Sequence, residues 1–326
     1  MFRLKLVPDD TDINFMGPWR YTFGASVVLV VLALVAFLSI GLNFGIDFKG
    51  GTSIRTEATQ PVDLGAYRQA IVPLNVGDVA ISQVFDPSFG PERNVASIRI
   101  QAQDGAEAVS QDMLGQIQTA LQGVDPSLHF TSVESVGPKV SGELVQEAIL
   151  AVLAALGAVL VYIWLRFEWQ FALGAVAALV HDIILTIGVF TVLQLRFDLT
   201  IIAALLTIVG YSLNDTVVVF DRIRENLIKW KQRSLTDVMN LSLNETLTRT
   251  LMTSFTTLIA LVALFVLGGD VIRGFVFAMI WGVFVGTWSS IYVAAVIVKM
   301  LGVRRDLGKG GDTSAAGTQF ATSAPK

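Results

Sequence analysis

Long apolar runs separated by short polar ones dominate this chain. Six of them, 23–42, 146–165, 171–193, 200–220, 248–267 and 274–298, reach the ~20 residues that an α-helix needs to cross a bilayer. The first exceeds the core of a signal peptide, and no A-x-A site follows it, so it reads as an uncleaved signal anchor. Residues 43–141 break the series and are polar enough to be water-soluble. Within them, GTSIRTEA from Gly51 has the look of a strand, and 62–72 that of a helix with Leu64, Tyr67, Ala70 and Ile71 on one face, stopped by Pro73. Strand-like runs 79–85 and 96–102 follow, separated by Pro87, Gly90 and Pro91. A helix is expected over 106–123, with Val109, Met113, Ile117 and Leu121 at four-residue spacing, and a closing strand over 129–136. The order β-α-β-β-α-β is that of a ferredoxin-like module. The fold class expected is therefore a polytopic α-helical membrane protein with one extracytoplasmic α+β domain between its first two spans. Residues 142–303 would form the remaining five-span bundle, and 304–326, rich in Gly, Ser, Thr and Ala, a disordered tail.

Composition agrees. Hydrophobic residues make up 53% of the chain and charged ones only 15%, against about 25% charged in soluble domains. Basic patches interleaved with aromatics are absent, so nucleic acid is no expected partner. The chain has no cysteine, which excludes disulfides, thiolate metal sites and cysteine nucleophiles. Lysine and arginine set the orientation. With the N-terminus inside, the inside segments hold Arg3, Lys5, Arg20, Arg166, the cluster from Arg222 to Arg233, and Lys299 onward; the short outside loops hold only Arg196 and Arg273. Both termini, 1–22 and 304–326, are thus expected in the cytoplasm and 43–141 outside it.

Ionisable residues inside the spans carry the candidate chemistry. Asp215 and its neighbour Asn214 lie in the fourth span, His181 and Asp182 near the middle of the third, and Arg249 at the start of the fifth. Asp182, Asp215 and Arg249 together cost roughly 7–10 kcal/mol on insertion scales, whereas each apolar residue returns only ~0.3–0.6 kcal/mol. Antiparallel packing of spans four and five would bring Asp215 and Arg249 to similar depth. Thr246, Arg249, Thr253 and Thr257 form a polar stripe on span five that should face protein or water. Burial disfavours a charged carboxylate and a nearby arginine favours it, so Asp215 could take up and release a proton. Protonation would part it from Arg249 and bias a two-state helix arrangement. The alternative is a buried ion pair that only fixes packing.

Weaker signals surround this set. GIDFKGGT (45–52) is Gly-rich but neither a dinucleotide fingerprint nor a P-loop, and reads as a tight turn. Gly282, Gly286 and Ser290 make a small-xxx-small helix-packing face. The segment 221–245 carries Ile223, Leu227 and Trp230 on one side, the pattern of a helix lying at the inner interface. No hydrolase or metalloprotease motif occurs, so no enzyme activity, metal or other cofactor is expected. An intramembrane hydrolase built on His181 and Asp182 lacks a nucleophile.

Several blocks carry a resemblance: GIDFKGGT (45–52), VGPKVSGEL (136–144), HDIILTIG (181–188), GYSLNDTVVVFDRIREN (210–226), RTLMTSFTTL (249–258) and GTWSSIYVA (286–294). Together they resemble the SecF-like members of the SecD/SecF family of bacterial protein-export subunits. The resemblance implies the fold of resistance-nodulation-division exporters, completed to twelve spans with SecD. It implies use of the proton motive force to draw preproteins across the bacterial inner membrane, alongside the SecYEG channel, YajC and YidC. It places Asp215 and Arg249 in the proton path, with Asp182 and His181 as further members and Asn214, Thr253 and Thr257 in support. Two rival functions share the pattern: a proton-driven exporter of small molecules or lipids, and a structural translocon subunit that moves no ions.

Overall fold

A computed structural model describes residues 11–84, 93–102 and 109–303. The turn at Pro87, Gly90 and Pro91, the start of the helix expected from 106, and the tail from Arg304 lie outside the described residues. Arg3 and Lys5 lie outside them as well.

The first apolar run forms α1 (Trp19–Ile40). A two-residue strand β1 (Asn43–Phe44) and a single helical turn α2 (Ile46–Lys49) lead into the head. Its elements are β2 (Gly51–Ala58), α3 (Leu64–Ile71), β3 (Val79–Val84), β4 (Asn94–Gln101), α4 (Gln111–Gln122) and β5 (His129–Val136). The four strands pair antiparallel in the order β3-β4-β2-β5. That is the ferredoxin-like arrangement which the alternating β and α runs predict. Strand alternation sends Ile54, Ala58, Ala96, Ile98 and Ile100 to one face, where Tyr67 and Ile71 of α3 and Leu114, Ile117 and Leu121 of α4 cover them. Burying each of these isoleucines contributes roughly 1.5–3 kcal/mol. Asp63 and Ser110 cap the two helices by accepting from Ala66 and Met113 N–H groups.

Pro138 at the first turn of α5 (Pro138–Arg166) returns the chain to the bundle. There follow α6 (Trp169–Val192), a second two-residue strand β6 (Arg196–Phe197), α7 (Leu199–Lys229) and α8 (Leu235–Leu267). The last span is α9 (Asp270–Ser289), a π-helical turn Ser290–Ala294, and α10 (Ala295–Leu301). All six spans are long and apolar enough to cross a membrane. The spans formed by α6, α7 and α9 are the most buried, whereas α1, α5 and α8 are largely exposed.

One expectation changes. Residues 221–245 do not form a helix lying flat at the interface. They continue α7 and α8 as a hairpin, turned at 230–234. The reason is that Ile223 and Leu227 pack against Val238, Met239 and Leu243 of the returning helix, rather than against lipid. Of the apolar side, Ile223 and Leu227 are covered by protein, while Trp230 at the turn stays exposed. The small-residue face of α9 lies against α7: a side chain at Gly282 would strike Ile208, one at Gly286 would strike Ser212, and Ser290 hydrogen-bonds Thr216 at 2.9 Å. The spacing 282, 286, 290 thus answers 208, 212, 216 on the neighbour.

The candidate intramembrane site

Three helices build the first polar cluster. Asp182 on α6 is 1% exposed. Its Oδ2 accepts from the Ser212 hydroxyl of α7 at 2.7 Å and from the Ser289 hydroxyl of α9 at 2.9 Å. Its Oδ1 pairs with His181 Nδ1 at 2.9 Å. The carboxylate therefore has three partners from three spans, two of which come from neighbouring helices. His181 is buried too, and its Nε2 has no partner among the described residues. The π-helical turn starts one residue after Ser289, and such turns recur at functional sites. Ser290 donates to the Gly286 carbonyl at 2.9 Å, whereas the Ser289 hydroxyl is spent on Asp182.

Asp215 lies on the α8 side of α7 and is 3% exposed. Thr253 Oγ1 of α8 stands 3.5 Å from its Oδ1, while donating at 2.9 Å to the Thr250 carbonyl. Asp215 Oδ2 has no partner among the described residues, and neither has the Thr250 hydroxyl. Arg249 exerts an electrostatic pull on Asp215, yet among the described residues no salt bridge joins the two. Its side chain is exposed on the flank of the bundle, as is Asn214. Thr257 is half-buried and lies 3.5 Å from the Tyr211 hydroxyl. Thr246, at the start of the polar stripe, is buried and donates within its own helix to the Ser242 carbonyl at 2.9 Å.

The structure thus gathers the sequence candidates into two groups. His181 and Asp182 form one, with Ser212 and Ser289 as partners that sequence reasoning did not single out. Asp215, Thr253 and Arg249 form the other, with Asn214 and Thr257 at its margins. A hydroxyl in an apolar span is an ordinary residue; only the alignment of Ser212 with Gly286 across α7 and α9 marks it.

The family model described as "Protein export membrane protein SecD/SecF, C-terminal" matches residues 116–304, and the "SecD/SecF GG Motif" model matches 35–62. The chain belongs to the SecD/SecF family. Family members named "Protein translocase subunit SecF" are 61% identical over 98% of this chain in Cereibacter sphaeroides and 41% identical over 93% of it in Vibrio alginolyticus. They are covered over 98% and 94% of their own lengths. A crystal structure of SecDF from Thermus, described as a translocon-associated membrane protein, matches 90% of the chain with TM-score 0.77 and 36% identity. A SecDF structure in a "Super-membrane-facing form" matches 92% with TM-score 0.68. The chain spans about 40% of the length of those SecDF chains. Both clusters and the Gly50–Gly51 turn fall inside the regions matched by the family models.

Proposed function

We propose that this SecD/SecF family member is the SecF-type auxiliary subunit of a bacterial Sec export machinery, and that protons moving through Asp215 drive its head. The observation that carries the reading is the state of Asp215. It is a buried carboxylate with one oxygen unpartnered and an arginine near but not bound. Leaving a buried polar atom unpaired is costly, and such groups mark ion and proton paths inside membranes. A proton on Oδ2 removes the charge that attracts Arg249, and α7 and α8 are then free to take a second arrangement. Each proton crossing the membrane potential carries ~2.3 kcal/mol per 100 mV. Asp182 and His181 serve as a deeper relay station, held between α6, α7 and α9 by the two serines.

Arg249 and Asn214 lie exposed on a flank that lipid alone would cover at high cost. A partner of matching topology resolves this, and a SecD-type chain supplies it. The wider assembly proposed is that of the resemblance: the SecYEG channel, YajC, YidC and a translocating preprotein. The proposed setting is the bacterial inner membrane, with both termini cytoplasmic and residues 43–141 periplasmic.

The test is proton uptake by vesicles containing this chain and its co-purified partner. Asp215→Asn is expected to abolish uptake and Arg249→Leu to reduce it. Undiminished uptake in Asp215→Asn would leave a structural subunit as the better reading.

A further inference from the structure

A cavity of about 570 Å³ separates the polar face of the head sheet from the neighbouring ends of α6 to α9. Ser53, Arg55 and Ser97 line it from the sheet, and Asp198 and Thr200 from the start of α7. The head strands therefore do not rest on those helices. Among the described residues, the bridging runs through α2, which touches β2, β4 and β5 of the head and α5 of the bundle, and through β1, which pairs with β6.

That bridge is specific. β1 pairs in parallel with β6, Asn43 opposite Arg196 and Phe44 opposite Phe197. Gly45 N–H donates to the Phe197 carbonyl at 2.7 Å, and the Ser141 hydroxyl of α5 donates to the Ile46 carbonyl at 3.3 Å. Asp47 goes further: its Oδ2 accepts from the Leu199 N–H, the first of α7, at 3.0 Å. Helix α7 already has its own cap, Asp198, which takes the Thr200 N–H at 3.1 Å. Asp47 adds a second cap from a residue 152 positions earlier in the chain. On its other side the turn runs straight into the sheet. Gly50 and Gly51 have φ of +73° and +134°, and a side chain at Gly51 would lie 2.3 Å from the Ile100 carbonyl of β4. No slack separates Asp47 from the head.

We infer that Asp47 is the positioning residue that ties movement of α7 to movement of the head. The inference rests on the reading of Asp215 as the proton acceptor, for Asp215 lies on the same unbroken helix, ~24 Å from Leu199 at 1.5 Å per residue. A shift or tilt of α7 acts on the Asp47 carboxylate, and through α2 on β2. The cavity gives the sheet room to follow.

The absence of cysteine allows a clean test by spin labelling. One label goes on α4 by Gln116→Cys and one at the end of α6 by Val192→Cys, both exposed, in the full chain with its co-purified partner in vesicles. Asp47→Ala is expected to lower the population of the docked head-to-helix distance about fivefold, the factor that a lost helix cap typically carries. Asp47→Asn keeps an oxygen for the Leu199 N–H and is expected to restore it. In the same vesicles Asp47→Ala should retain proton uptake while preprotein export falls. A docked population untouched by Asp47→Ala, or uptake and export lost together, overturns the inference. Asp215→Asn is the separate control: undiminished uptake there removes the proton reading, while the label distances still judge Asp47.

Discussion

Asp182 shows how much a single carboxylate can organise when its partners come from several helices. Removing either hydroxyl, by Ser212→Ala or Ser289→Ala, leaves the charge with one donor fewer. The expected loss is about 1 kcal/mol each, within the range for hydrogen bonds in membrane bundles. Thermal unfolding of the purified complex in detergent measures it, and the double variant should lose more than twice as much, because either serine alone still serves the shared oxygen. In the head, Asp125 plays a comparable local part. Its Oδ1 accepts from the Ser127 N–H at 2.9 Å and the Ser127 hydroxyl at 2.7 Å, and its Oδ2 from the Gln60 N–H at 3.4 Å. Burial opposes the charge, but these bonds outweigh it and hold the carboxyl below its usual range. A lowered native value means that its stabilisation is complete above the ordinary carboxylate range and fades as pH falls through that lowered value. Asp125→Ala should cost roughly 1–3 kcal/mol at neutral pH and less in acid. Hydrogen exchange across β5 reads the difference. Sequence alone shows Asp182 and Asp215 because charge in an apolar run stands out. It hides Ser212 and Ser289, whose significance depends on which helices become neighbours.

Elements were legible to different degrees for physical reasons. Alternation and four-residue spacing point to the head strands and helices because β2, β4, α3 and α4 each bury one face against the other layer. The spans were plain from length. The hairpin at 230–234 was not, since an apolar stripe looks the same whether lipid or another helix covers it. The π-helical turn after Ser289 has no composition signature at all. The contact between α7 and α9 makes a sharp prediction. Gly282→Leu drives a side chain into Ile208, whose nearest atom would lie 2.4 Å from the added carbon. Overpacking of this kind costs typically 1–3 kcal/mol. Gly157→Ala on α5 meets nothing within 4 Å and should be neutral or mildly stabilising. Melting temperatures of the two variants, measured side by side, decide between packing and a general sensitivity of glycines in the spans.

At the scale of the whole molecule, the bundle has an enclosed centre and exposed outer helices. The α6, α7 and α9 segments are enclosed, while α1, α5 and α8 present broad apolar faces, and α8 adds the exposed Arg249. The chain matches about 40% of a SecDF chain, and these exposed helices are the surface it offers to a partner. Purification from native membranes in mild detergent should recover a SecD-like chain. A cysteine placed at Asn214 should react with a water-soluble maleimide in the isolated chain and be shielded once that partner is present. Equal reactivity in both states would mean that the partner docks elsewhere.

The short parallel bridge has a consequence for how the protein is made. The Asn43 side chain donates to the Gln194 carbonyl, 151 residues further on. At roughly 5–20 residues per second of synthesis, β1 waits on the order of ten to thirty seconds for β6 to be made. The strands of the head, closed by β5 at Val136, are complete before then. The newborn head thus forms with only the first two spans, α1 and α5, to hold it, and the seam between β1 and β6 closes only after the third span has been delivered.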